Sequence, residues 1–338
     1  MSLIKTVKSL LRRYFVPLFP KLYRYYSLYV HWKNNKVLLL DFDLLDNTAN
    51  RTDEVFLPFD CPQCSSVSVC KDKLAYLYKS IGFTACIDVS DAAYKKAKRI
   101  YSLFAPQTVK GIDGAVIKKQ RIGGERDGGY VMLALDYANQ KDTVAYSFGV
   151  SDASPWDLKF AQYGIDTFQY DGTIEKPPQT HPNLHFNRFN IAGRSPKENE
   201  RTVSQIISEN GHQQKNIILQ CDIEGAEWEM FEIMNEEEMN CFGQIIVEFH
   251  GLIDMNRFNY FVSVLDKINR THQVYHIHAN NCGSCVVLNK MILLPDVWEI
   301  SYVRRKDYVF IPCTETFPTQ LDAANFPNRP DIFLGKFA

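Results

Sequence analysis

The sequence predicts an α/β protein built on a Rossmann-like, doubly wound sheet of six parallel strands and one antiparallel strand, preceded by an N-terminal extension. Three observations predict it. From about Val116 onward, apolar runs of strand length alternate with stretches of helical period. The last two runs have no helical stretch between them, which calls for a hairpin. Several runs end in glycine or acidic residues, and open α/β sheets bind ligands beyond the carboxyl ends of their strands.

The strand candidates are Val144–Val150, Thr167–Asp171, Leu184–Asn187, Ile217–Asp222, Gln244–His250, Gln273–His278 and Trp298–Val303. Helical stretches at Pro155–Tyr163, Thr202–Glu209, Trp228–Met234 and Asn256–Ile268 fall between most of the first six. Ahead of this 113–338 domain, residues 37–112 read as a cap or substrate-side extension. There Val37–Leu40 is a short strand, Asp41 to Asp60 a loop, and Asp72 to Ile81 and Ala92 to Leu103 are helices. Residues 1–36 begin with a helical stripe of Leu3, Ile4, Val7, Leu10, Leu11, Tyr14, Phe15 and Leu18, with basic residues opposite, followed by Tyr23, Tyr25, Tyr26, Tyr29 and Trp32. Such a segment suits an anionic membrane surface or packing on a domain or second subunit, and both readings stand open.

The net charge of -1 hides an asymmetry. Residues 1–36 hold eight of the 38 basic residues and none of the 39 acidic ones, so the remainder is acidic and unsuited to nucleic acid. No window is apolar enough for a membrane span, and Lys5, Lys8, Arg12 and Arg13 interrupt any secretory signal. A cytoplasmic protein, peripheral at most to the inner face of a membrane, is expected, with its nine cysteines mostly free thiols or metal ligands. Cys61 and Cys64, with Cys70 nearby, and Cys282 and Cys285 form a zinc site if the pairs meet; otherwise they are unpaired thiols.

Chemistry concentrates at the strand ends. Ser147-Phe148-Gly149-Val150 carries one glycine and not the three-glycine dinucleotide fingerprint, which argues against nicotinamide and flavin enzymes. Asp171, about twenty residues on, stands where an acidic side chain accepts from ribose hydroxyls. The fourth run ends in Asp222-Ile223-Glu224-Gly225-Ala226-Glu227, three carboxylates at one strand-to-helix turn. Such crowding needs relief by a cation, donor or proton. Asp222 and Glu224 read as site residues, whereas Glu227 reads as a partner of the helix N-terminus. On the next run Glu248 and His250 alternate onto one face, as do His276 and His278 on the sixth.

Two uses of this cluster are open. In one, His250 is a general base for an acceptor hydroxyl, with a carboxylate orienting its ring. In the other, Asp222, Glu248 and His250 hold a divalent cation, Mg²⁺ or Mn²⁺ rather than zinc, that binds and acidifies the acceptor oxygen.

Taken together, Arg121-Ile122-Gly123-Gly124, Asp127-Gly128-Gly129-Tyr130-Val131, Tyr146-Ser147-Phe148-Gly149-Val150, Tyr170-Asp171-Gly172, Asp222 to Glu227, Glu248-Phe249-His250 and His276 to Gly283 resemble FkbM-related methyltransferases in order and spacing. Leu321-Asp322, Asn325 and Pro330-Asp331-Ile332 extend the resemblance, which spans residues 121 to 332. It implies a class I methyltransferase domain at 113–338, S-adenosylmethionine as donor, and O-methylation of a sugar or glycan hydroxyl; the membrane reading of residues 1–36 would make that acceptor lipid-linked. A protein or lipid methyltransferase, or a scaffold that has lost catalysis, are the alternatives. By position, Gly149 and Asp171 contact the cofactor, Asp222 borders the transferred methyl, and the turn Asp127, Gly128, Gly129, Tyr130 closes over the site. The first 110 residues have no counterpart in the resemblance.

Overall fold

The structure, a computed structural model, describes residues 91–288, 293–327, 331–332 and 334–337, together with the backbone of the strands Leu38–Leu40, Val55–Leu57, Val67–Val69 and Ala85–Asp88. Its central sheet has seven strands: β1 (Thr143–Phe148), β2 (Thr167–Tyr170), β3 (Leu184–Asn187), β4 (Asn216–Cys221), β5 (Phe242–Phe249), β6 (His272–Ala279) and β7 (Trp298–Arg304). They lie in the order β3-β2-β1-β4-β5-β7-β6. The pairs β3/β2, β2/β1, β1/β4 and β4/β5 are parallel, and β7 runs antiparallel to both β5 and β6. Six strands thus share one direction and the seventh opposes them, as the sequence predicts. The fold is an α/β architecture on a mostly parallel, seven-stranded sheet.

Helices explain why the strands are apolar on both faces. Helix α1 (Asp91–Leu103) buries Ala93, Ala97, Ile100 and Leu103, a stripe at helical spacing. It joins α3 (Val203–Glu209), α4 (Glu227–Ile233) and α5 (Phe258–Thr271) on one face, over Tyr146, Leu219, Ile245 and Val247. The other face carries Ala145, Ile218 and Ile246 beneath α2 (Pro155–Gln162) and a hairpin of Lys119–Gly123 with Gly129–Leu133. Thr202 caps α3, its hydroxyl accepting from the Gln205 amide while Gln205 returns to the Thr202 amide.

Two expectations need correction. The connection from β6 to β7 is more than a turn: it contributes Cys285–Leu288 and Leu293–Pro295 to a second sheet, with Ala85–Asp88 and Leu38–Leu40. The apolar runs on either side of Asn289-Lys290 are the signal for that excursion. Within the predicted loop Asp41 to Asp60, Val55–Leu57 is a strand paired antiparallel with Val67–Val69. The segments 1–36 and Asp72 to Ile81, and Cys61, Cys64 and Cys70, lie outside the described residues. Among the described residues, no helix is long and apolar enough to cross a membrane.

Candidate functional site

A cavity of about 690 Å³ opens beyond the carboxyl ends of β1, β2 and β4, a size suited to a small organic ligand. Gly149, Asp171, Asp127, Gly128, Tyr130 and Asp222 all line it, whereas Gly129 is buried within the hairpin. Gly149 sits at φ +83°, and a Cβ there would fall on the carbonyl oxygen of Asp222. Only glycine lets the ends of β1 and β4 approach so closely. In the hairpin, a Cβ on Gly129 would likewise meet the backbone of Gly124. Gly129 therefore serves close approach of the hairpin to itself, whereas Gly128 faces the cavity beside Pro155.

Asp171 fixes the rim. Its Oδ2 accepts from the Val150 and Ser151 amides, both at 3.0 Å, and its Oδ1 from the Thr173 amide at 2.8 Å and hydroxyl at 2.6 Å. Burial alone would raise its pKa, but these hydrogen bonds outweigh burial and hold it below the ordinary carboxylate value. All four acceptor positions are occupied by the chain, so a ribose hydroxyl reaches this carboxylate only by displacing one of them.

The floor of the cavity is polar, which the sequence reading missed. Gln169 donates to Asp157 Oδ2 at 2.5 Å and to Ser154 Oγ at 3.2 Å, and Ser147 donates to Gln220 Oε1 at 2.9 Å. Gln220 in turn donates to the Tyr130 hydroxyl at 3.3 Å. Asp157, 2% exposed, has its pKa pushed up to about 6 by burial, against the hydrogen bonds from Gln169 and Ser147. The signal was present: Ser147, Gln169 and Gln220 interrupt otherwise apolar runs, and they pair in register across β1, β2 and β4.

Beside the cavity, His250 gathers the predicted carboxylates. Its Nε2 lies 3.8 Å from Asp222 Oδ1, 3.5 Å from Glu224 Oε2 and 3.7 Å from Glu248 Oε1. Glu227 has a different role from the one its helix-start position suggests. It is fully buried, accepts from the Gly225 and His250 amides at 2.8 and 2.7 Å, and takes the His250 Nδ1 proton at 3.2 Å. Glu227 is thus the carboxylate that orients the ring. Burial would lower the His250 pKa, but Glu227, Asp222 and Glu224 together raise it. Burial pushes Asp222 up to about 6, with His250 opposing and Glu224 adding to the shift.

Of the expected ligand set, Asp222 and Glu248 both approach His250, and two adjoining groups of donors result. Oxygen or nitrogen atoms of Asp222, Glu224 and His250 converge within 4.8 Å, whereas Glu248 groups with Asp127 and Glu299. Asn280 donates to Glu248 Oε1 at 2.7 Å. Burial first, then Asp222 and Glu299, raise the Glu248 pKa well above its ordinary value.

His276 and His278 share a face, as expected, yet neither belongs to the His250 cluster. His276 Nδ1 accepts from the Lys119 ammonium at 3.2 Å, and its Nε2 donates to Asp322 at 2.8 Å. His278 has carboxylates on both nitrogens, Glu299 at 2.9 Å and Asp331 at 2.8 Å, so it carries a positive charge. The C-terminal stretch is held by these pairs and by Asn325, which donates to Glu299 Oε1 at 2.6 Å and Asp127 Oδ1 at 3.3 Å. Cys282 is exposed and Cys285 buried, its thiol pushed up to about 12 by burial. Among the described residues, the donor groups of three that converge contain carboxylates and histidine and no cysteine.

No known protein family matches the sequence, and no curated protein does. Among solved structures, the chain is similar to one in the crystal structure of a fibrillarin/Nop5p complex, with 11% identity and a TM-score of 0.30. That similarity covers 58% of this chain and 97% of the other.

Proposed function

We propose that the chain is an S-adenosylmethionine-dependent methyltransferase acting on an oxygen acceptor, a sugar or glycan hydroxyl. The observation that carries the donor is the charge of the cavity: its lining holds seven Asp and Glu side chains and no Lys or Arg. That field repels a phosphate-bearing nucleotide and attracts a ligand with sulfonium and ammonium groups. Ser147 and Gln220 in the lining add hydrogen-bonding groups without adding charge. When bound, the cofactor supplies a methyl group already activated on sulfur.

The chain's own residues do the remaining work. Asp222, at the junction of cavity and His250 cluster, positions the reacting groups, and the 123–129 turn helps exclude water. His250 accepts the acceptor's proton at Nε2, while Glu227 holds the proton on Nδ1 and stabilises the imidazolium that forms. The acceptor class rests on the family resemblance, and a membrane contact through residues 1–36 would bring the enzyme to a lipid-linked acceptor. Removing residues 1–20 should then abolish liposome binding.

Calorimetry with S-adenosylmethionine tests the donor. Folded protein that binds none of it would leave the membrane-associated scaffold as the reading. A second mechanism is favoured by the convergence of Asp222, Glu224 and His250, with Glu227 behind the imidazole as carboxylates stand behind metal-bound histidines. Mg²⁺ or Mn²⁺ held there would acidify the acceptor oxygen. Activity lost to a chelator and restored by either ion selects this mechanism; activity indifferent to the chelator selects the general base.

A further inference from the structure

We infer that Asp127, Glu248 and Glu299 form a divalent-cation site, separate from the His250 cluster, that fastens the glycine turn and the C-terminal stretch to the edge of the sheet. One carboxylate oxygen from each of the three converges within 4.8 Å. Glu248 and Glu299 are only 4% and 7% exposed, so their charges are not relieved by bulk water. No Lys or Arg makes an ion pair with any of the three among the described residues. The positive groups nearby are histidines: His278, shared between Glu299 and Asp331, and His250, whose Nε2 lies 3.7 Å from Glu248 Oε1.

Unpartnered oxygens point to a ligand independently of the acidic cluster. Asn325 is 7% exposed, and its amide nitrogen bridges Asp127 and Glu299, yet its Oδ1 is buried with no partner. Glu248 Oε2 is buried and unpartnered as well. Native chains rarely leave such atoms orphaned, because a buried polar atom without a partner has lost its hydration with nothing in return. A hard cation among the three carboxylates would give Glu248 Oε2 the partner it lacks. Three carboxylates, with no imidazole or thiolate, are an oxygen donor set suited to Mg²⁺, Mn²⁺ or Ca²⁺.

The position gives the cation its role. Asp127 sits on the turn over the cavity mouth, Asn325 in the C-terminal stretch, and Glu248 and Glu299 pair directly across β5 and β7. A cation among them ties roof, tail and sheet together, whatever donor the cavity holds.

The test is Mn²⁺ binding by the full chain, read by electron paramagnetic resonance, with thermal melting in Mg²⁺, Mn²⁺ and Ca²⁺ alongside. The expected result is a bound Mn²⁺ and a melting temperature that rises with cation concentration. Both should be lost in Asp127→Asn and Glu299→Gln and kept in His250→Ala. Asp127→Asn decides if Glu299→Gln fails to fold, since Asp127 is exposed and circular dichroism will report its fold. Binding kept in Asp127→Asn but lost in His250→Ala would move the ion to the other cluster and overturn the inference. Loss in both Asp127→Asn and His250→Ala would make the two clusters one site and overturn it too. Folded protein that binds none of the three ions would mean that protons alone relieve these carboxylates.

Discussion

The two halves of the sheet bury polar rows on the same face in opposite ways. Across β2, β1 and β4, Gln169, Ser147 and Gln220 stand in register, neutral groups linked mainly to one another and to Asp157 and Tyr130. Across β5, β7 and β6, Glu248, Glu299 and His278 stand in register, and all three are ionisable. Neutral amides and hydroxyls need no counter-charge, even where Gln169 Oε1 is left without a partner, so that half can end in an open cavity. Buried charges need counter-groups brought from elsewhere, so the second half is covered by a C-terminal stretch that supplies Asp331 and Asn325. The difference separates two parts of the site: a neutral floor to the cavity, and beside it a wall of ionisable groups.

The strongest way to break this division is at His250. His250→Ala should lower kcat by about 10²–10⁴-fold while leaving S-adenosylmethionine binding intact by calorimetry. Loss of cofactor binding in that variant would mean the charged wall is part of the floor. Glu227→Gln should give a smaller loss, about ten- to hundredfold, because it weakens the orientation of the ring and leaves the ring in place. Gly149→Val attacks the other half. Its Cβ would occupy the position of the Asp222 carbonyl, at a positive φ that L-residues rarely adopt, so a destabilisation of about 3 kcal/mol and loss of cofactor binding are expected. Unchanged urea unfolding would show that β1 and β4 do not need their close approach.

Legibility in the sequence follows the same division. All seven strands were readable because strand-length apolar runs report burial on both faces, and Leu184–Asn187 was found with its predicted bounds. The first strand was expected to reach Val150 but ends at Phe148, since Gly149 turns to φ +83°. Asp222 and His250 could be singled out because strand ends in such sheets face ligands. Glu227 could not, because an acid in the first turn of a helix has a sufficient local explanation. Asp157 was hidden by the same logic in the first turn of α2. The pairing of His278 with Asp331 spans 53 residues, and no local spacing encodes a contact of that range.

Asp157 and His278 offer the finer tests, one in each half, and both are read by pH. Burial raises the Asp157 pKa from 3.8 to about 6, so its folded state binds a proton more tightly than its unfolded state. Stability is therefore full below about pH 4 and falls as pH rises through 6, by up to about 3 kcal/mol. Asp157→Asn should be more stable than wild type at pH 7 and equal to it at pH 4, measured by thermal melting. Equal stability at both values would show that the floor holds Asp157 without strain on its charge. For His278, burial opposes the charge, but Glu299 and Asp331 outweigh it and raise the pKa well above the ordinary imidazole value. Its stabilisation is present below about pH 6.5 and is lost as pH rises through that higher value. The C-terminal stretch should loosen on the alkaline side, seen as lower amide protection, relative to the intrinsic exchange rate at each pH, in residues 313–327. His278→Gln should be poorly protected at every pH, and an alkaline loss of protection that persists in this variant would assign the counter-charge of the wall to some other group.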